Sequence, residues 1–256
     1  MKSRKDFPDG MQPLGKKEKF SFHCHSKIDC YMLCCKKVDM FLFPYDILRL
    51  KSYLNISSQE FMENYSRIVQ GQSHPYFPAV MLRLTDDEEK ACPFLTEEGC
   101  GVYQDRPSAC RTYPLERGVD RTPERGISQE FYFMTDHEYC HGHQESKEFT
   151  IKKWTRDQRL DDYNLMNDLW AEVDTVFSTN PWMGEGSGGP KQQVAFTVCY
   201  DIDNFRAMVA KHSLLDRFVI AKNQKRRIKE SDSELMKFGF EWLKNFLGKP
   251  SSLVSK

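Results

Sequence analysis

Eight of the nine cysteines in this 256-residue chain lie between Cys24 and Cys140, and that crowding constrains the fold more than any apolar pattern does. Four occur at Cys24, Cys30, Cys34 and Cys35, four more at Cys92, Cys100, Cys110 and Cys140, and Cys199 stands apart. Four thiolates close a tetrahedral zinc site or hold one four-iron cluster, so the chain carries enough sulfur for two such sets. The polypeptide must then bring distant loops to one place.

Three other uses of the thiols fit less well. A disulfide framework belongs to short secreted chains, whereas this one is long, has an odd cysteine count and shows no apolar run after its N-terminal charges. Inert core cysteines scatter along apolar stripes, but these sit among Pro, Gly, Asp, Glu and His. A catalytic cysteine needs one activated thiol, and nothing singles out one among eight.

Lys plus Arg equals Asp plus Glu, 37 each, for a formal net charge of zero. That removes the bulk electrostatic case for a nucleic-acid partner. The basic run Lys222 to Lys229 reads as a solvated connection ahead of the last helix. The apolar stretches fall well short of the roughly 18 residues of a membrane span, so the expectation is a soluble cytoplasmic protein with reduced thiols and no membrane partner.

Residues 1–19 are charged and aperiodic and are expected to form a flexible tail. Residues 20–148 hold the eight clustered cysteines, and 149–256 read as a helical extension packed on them. The spacing predicts a helix over Pro44 to Leu54 with proline in its first turn, and a second opening at the Ser57-Ser-Gln-Glu60 capping pattern and carrying Phe61, Tyr65, Ile68 and Val69. Strands are expected within Tyr76 to Leu84, Gln129 to Met134 and Val194 to Tyr200. Further helices follow from Thr150, over Asp161 to Phe177, from about Asp203 to Lys211, and from Ser231 to Leu247. Gly99 suits a positive-φ reversal between Cys92 and Cys100. The fold class is therefore α+β, mostly helical, with short strands and cysteine-bearing loops around a metal centre.

On an extended segment Cys34 and Cys35 would point opposite ways. Either one joins Cys24 and Cys30 while the other reaches toward the later four, or both touch a polynuclear cluster. His23, His25, His137, His141 and His143 lie beside cysteines and make mixed thiolate and imidazole coordination available. Arg106 and Arg111 flank Cys110, where they either pair with carboxylates or donate to thiolate sulfur. Tyr103 and Tyr113 read as packing residues.

The elements Phe22-x-Cys24, Cys34-Cys35, Pro44-x-Asp46, Cys92-Pro-Phe-Leu95, Gly99-Cys100-x-Val-Tyr103, Arg106-Pro107-x-x-Cys110-Arg111-x-Tyr-Pro114 and Cys140-x-Gly142 resemble the YkgJ-type cysteine-cluster family, whose CxxCxxCC domain is described as zinc- or iron-chelating. Tighter members read C-x2-C-x2-C-C where this chain has C-x5-C-x3-C-C. The resemblance implies metal binding at Cys24, Cys30, Cys34, Cys35, Cys92, Cys100, Cys110 and Cys140, with an iron-sulfur cluster or zinc as cofactor. Its C-terminal half resembles the extension of a bacterial subgroup.

Flagellin lysine methylases are similar in this region, which raises S-adenosylmethionine-dependent protein methylation as an enzymatic alternative. A metal carrier and a structural zinc protein with a protein partner are the others. The glycine-rich stretch Gly184 to Gly189 follows a helix rather than a strand, the wrong context for a nucleotide-binding turn, and reads as a linker.

Overall fold

The computed structural model describes residues 7, 12–71, 73–120 and 129–256. The expected tail over residues 1–19 lies in large part outside the described residues. Within its described part, Pro13 bridges Phe133 and the Leu14 amide donates to the Tyr132 carbonyl at 2.8 Å.

In chain order the elements are β1 (Lys19–Ser21), β2 (Phe41–Leu42), α1 (Pro44–Leu54), α2 (Ser58–Tyr65), β3 (Ser66–Gln70), β4 (Pro78–Leu82), β5 (Leu95–Thr96) and β6 (Gly99–Cys100). Then come α3 (Ser108–Thr112), β7 (Leu115–Asp120), β8 (Gln129–Met134), β9 (Glu148–Thr150), α4 (Ile151–Asp157), α5 (Asp161–Ser178), α6 (Pro190–Tyr200), α7 (Ile202–Lys211), α8 (Lys222–Glu230) and α9 (Asp232–Phe246). Short antiparallel strands among many helices make the fold α+β. The chain divides into two compact units, one from residues 1–38, 85–101 and 108–161, the other from 39–84, 102–107 and 162–256.

The first unit is built on antiparallel pairs: β1 with β9, β5 with β6, and β7 with β8. Side chains alternate along a strand, so Phe20 of β1 turns inward while Lys19 stays in solvent. Phe20, Phe22, Leu115, Tyr132, Phe149, Trp154 and Leu160 form its buried cluster. Trp154 of α4 meets Phe149 edge-on at 4.9 Å, and its indole N–H donates to the Thr112 carbonyl at 2.9 Å. Full burial of each large apolar side chain contributes about 1.5–3 kcal/mol. This cluster therefore anchors the loops above it.

In the second unit α1 begins where Pro44 needs no amide partner, and Asp46 accepts from the Phe43 amide at 2.9 Å. Ser57 caps α2 by accepting from the Glu60 amide at 3.1 Å. Ser231 does the same for α9 from Glu234 at 3.4 Å. The sheet has the order β2, β4, β3.

Three expectations are corrected here. Ile68 and Val69 do not continue the second helix, because the chain leaves it at Tyr65 and enters β3, where Ile68 pairs with Val80. β-Branched residues favour that pleated setting over a helix.

The run Val194 to Tyr200 is helical, the end of α6. Short apolar runs do not distinguish strand from helix, and Pro190 in the first turn sets the helical start. α9 comes close to α6 at Gly239, where a Cβ would lie 2.8 Å from both Val198 and Phe205.

The basic run is a helix, α8, with Ile228 alone buried on it. Its charges remain in solvent, as in the Arg227–Glu234 pair at 3.1 Å. Gly184 to Gly189 joins α5 to α6, with Gly189 as the residue before α6.

A polar knot ties α1, α2, α7 and α9. Lys51 contacts Asp203 at 2.8 Å and Asp232 at 3.4 Å, and the buried Ser58 donates from both its amide and hydroxyl to Asp203, at 2.7 and 2.9 Å. Burial acts to raise the Asp203 pKa, but the hydrogen bonds from Lys51 and Ser58 hold it below the ordinary 3.8. A carboxylate with a depressed folded pKa stabilises the fold above its unfolded pKa and loses that contribution as pH falls through the folded value. Urea unfolding should thus show stability falling as pH drops below about 4, with a shallower fall in Asp203→Asn than in the parent chain.

Candidate metal centre

The first unit carries all eight clustered cysteines. The loop after β1 turns tightly through Cys30. The Leu33 amide donates to the Cys30 carbonyl at 3.1 Å and the Cys35 amide to the Met32 carbonyl at 3.0 Å. Met32, at φ 70°, starts a 3₁₀ turn over Leu33–Cys35. Adjacent side chains on such a turn need not diverge as they do on a strand. The extended geometry expected for Cys34 and Cys35 is corrected accordingly: their thiols hydrogen-bond to each other.

The second group is brought to this turn by backbone pairing. The Cys92 amide donates to the Cys35 carbonyl at 2.7 Å, the Lys37 amide to the Lys90 carbonyl at 2.9 Å, and Lys36 bridges Ala91. Cys100 comes back toward Cys92 through the β5–β6 hairpin, where Gly99 takes the expected positive φ, 130°. Cys110 lies on α3, and Cys140 follows β8 at the entry to a 3₁₀ turn over His141–Gln144.

Electrostatic coupling links several of these sulfurs. The Cys35 thiol donates to Cys34, which brings the Cys34 pKa down to about 7. Cys35 is pushed up by that same hydrogen bond, by burial, and by the negative charges of Cys34, Cys92 and Cys110. Cys92 is pushed up to about 11 by burial, with Cys100 and Cys34 adding to it. The Tyr139 phenol is raised by burial and by Cys34, Cys140 and Cys35. Cys34, Cys35, Cys92 and Cys110 are thus coupled, Cys100 is coupled to Cys92, and all nine cysteines are free thiols.

The remaining two ligand candidates are placed differently. Cys30 is buried and its sulfur accepts from the His141 amide at 3.2 Å. Asp29 and His141 hydrogen-bond at 2.5 Å, and with Cys30 they form one group of converging donor atoms. Cys24 is exposed between His23 and His25. Cys199 is buried in α6 of the second unit, and burial raises its thiol well above the ordinary value.

Tyr113 does more than the packing assigned to it. It is packed against the aromatic cluster, but its phenol also hydrogen-bonds Cys140 and lies 3.2 Å from His143 Nε2. Burial and the Cys140 contact raise its pKa. His137 stacks between Tyr113 and Tyr139, at 5.6 and 5.1 Å. Asp29 and Glu145 were also absent from the sequence candidates, since isolated carboxylates on polar loops carry no spacing signal. Arg111 donates to the Gln158 carbonyl at 2.6 Å, and Arg106 to the Tyr103 carbonyl at 2.6 Å while lying over that tyrosine ring.

This donor set suits zinc or iron: soft sulfur ligands, whose negative charge as thiolates a bound cation would offset. Backbone pairing thus ties the cysteine-bearing loops of the first unit together. Residues 23–141 match the model of the CxxCxxCC family, described as "Putative zinc- or iron-chelating domain". No curated protein and no solved structure matches the chain. No helix among the described residues is long and apolar enough to cross a membrane.

In metal-free protein, alkylation of Cys34 by iodoacetamide should rise with pH through a midpoint of about 7. Cys35→Ser should move that midpoint, read by peptide mass spectrometry, because a hydroxyl replaces the donating thiol. An unchanged midpoint would mean the two sulfurs do not interact.

Proposed function

We propose that the chain is a metal-binding cysteine-cluster protein that holds an iron-sulfur cluster or zinc through Cys24, Cys30, Cys34, Cys35, Cys92, Cys100, Cys110 and Cys140. The observation that carries this reading is the backbone pairing of the two cysteine loops, the Cys92 amide on the Cys35 carbonyl at 2.7 Å, with Cys34, Cys35, Cys92 and Cys110 electrostatically coupled beside it. Four coupled thiols suffice for one tetrahedral ion or one four-iron cluster, and Cys24, Cys30, Cys100 and Cys140 offer further sulfur nearby in the same unit. Residues 20–148 supply the ligands and 149–256 a helical extension. The partners in this reading are the metal and a protein that exchanges it or reads its state, in the reducing cytoplasm. Neutral net charge weighs against nucleic acid.

When bound, the metal would supply positive charge and, as an iron-sulfur cluster, electron transfer. The chain's own contribution is to fix the sulfurs, to expel their protons on loading, and to donate the Tyr113 hydrogen bond to the Cys140 sulfur. Anaerobic purification followed by elemental analysis and a visible spectrum tests the reading. Iron with acid-labile sulfide and a brown colour is the outcome for a cluster, and zinc without colour is the outcome for a mononuclear ion. Cys34→Ser with Cys35→Ser should lower metal content by at least half, and a freshly isolated protein with neither metal would overturn the proposal.

A further inference from the structure

A second group of metal-type donors lies beside the cysteine loops and contains no sulfur. His23 and His25 are two residues apart, with ring centroids separated by 4.7 Å. His25 Nε2 is 3.3 Å from Glu145 Oε2, and donor atoms of all three residues lie within 4.8 Å of one another. A tetrahedral ion with bonds of about 2.0–2.1 Å holds its donors about 3.3 Å apart. The His25–Glu145 separation therefore matches one edge of such a site. The Asp29–His141 pair, at 2.5 Å, is too close to have an ion between its donors and is a direct hydrogen bond.

The backbone holds these three residues in register. The Phe22 amide donates to the Lys147 carbonyl and the His23 amide to the Gly142 carbonyl, both at 3.0 Å, so the segment carrying Glu145 is tied on both sides. Gly142 permits the approach, because a Cβ there would lie 2.8 Å from the Phe22 ring. All three side chains are half-buried, which leaves room for water as a further ligand.

We propose that His23, His25 and Glu145 form a second, thiolate-free site for a first-row divalent metal ion. Two imidazoles and a carboxylate suit zinc, ferrous iron or nickel, and three protein donors leave a position open for exchange. His25 Nδ1 now accepts from the Lys27 amide at 3.2 Å. An ion at Nε2 moves the ring proton to Nδ1 and gives up that contact, so binding competes with a local hydrogen bond and is reversible. This site stands on its own donors and does not depend on the identity of the cysteine-bound metal.

Cobalt(II) added to the as-isolated protein tests it. One additional cobalt per chain is expected, with d–d bands in the visible and no added sulfur-to-cobalt charge transfer. His25→Ala and Glu145→Gln should each weaken this binding by more than about tenfold, the lower bound for loss of even an outer partner, with circular dichroism unchanged. The Cys34→Ser, Cys35→Ser chain should retain the additional cobalt. Unaltered affinity in both the His25 and Glu145 variants would overturn the proposal. So would a charge-transfer band on the additional cobalt, or its loss from the cysteine variant, since either assigns these residues to the thiolate centre.

Discussion

Mutual repulsion among crowded sulfurs is the constraint on which the rest of the first unit depends. Like charges set close together in a partly buried place disfavour one another's ionisation. A fold that sets Cys34, Cys35, Cys92 and Cys110 in one another's field cannot ionise them together unaided. The hydrogen bond from Cys35 lowers the Cys34 pKa, while that bond, burial and the neighbouring sulfurs raise that of Cys35. A bound cation would offset the negative charge of the thiolates.

The scaffold that enforces this crowding is mostly backbone. The Cys92 amide on the Cys35 carbonyl fixes two ligand loops relative to each other without using either side chain. The β5–β6 hairpin turns Cys100 back by a similar economy. Aromatic rings then close one side, where Tyr113 joins the buried cluster to the Cys140 sulfur. Hydrogen bonds to a ligand sulfur withdraw electron density from it and tune the metal.

Much of this was legible in the residues. The cysteine spacing, the caps at Ser57 and Ser231, the proline-initiated α1 and the reversal at Gly99 all rest on local chemistry that neighbouring residues determine. What was not legible depended on tertiary partners. Val194 to Tyr200 carries no period long enough to separate strand from helix, and the close approach of α9 at Gly239 is invisible in that segment alone. Cys34 and Cys35 could be judged only by assuming a backbone, and the 3₁₀ turn at Leu33–Cys35 replaced the extended one assumed. Tyr113 and Glu145 acquire their roles from residues 27 or more positions away, by the separations of Cys140 from Tyr113 and of Glu145 from His23 and His25.

The pairing of β1 with β9 has one more consequence. The family match runs over residues 23–141, yet Phe20, Phe22, Phe149, Trp154 and Leu160, five of the seven buried residues in the aromatic cluster, fall outside those limits. The matched stretch and the packed cluster therefore have different edges. A fragment cut at the matched stretch's ends would keep every sulfur from Cys24 to Cys140 but lose the clasp and most of the hydrophobic floor beneath them.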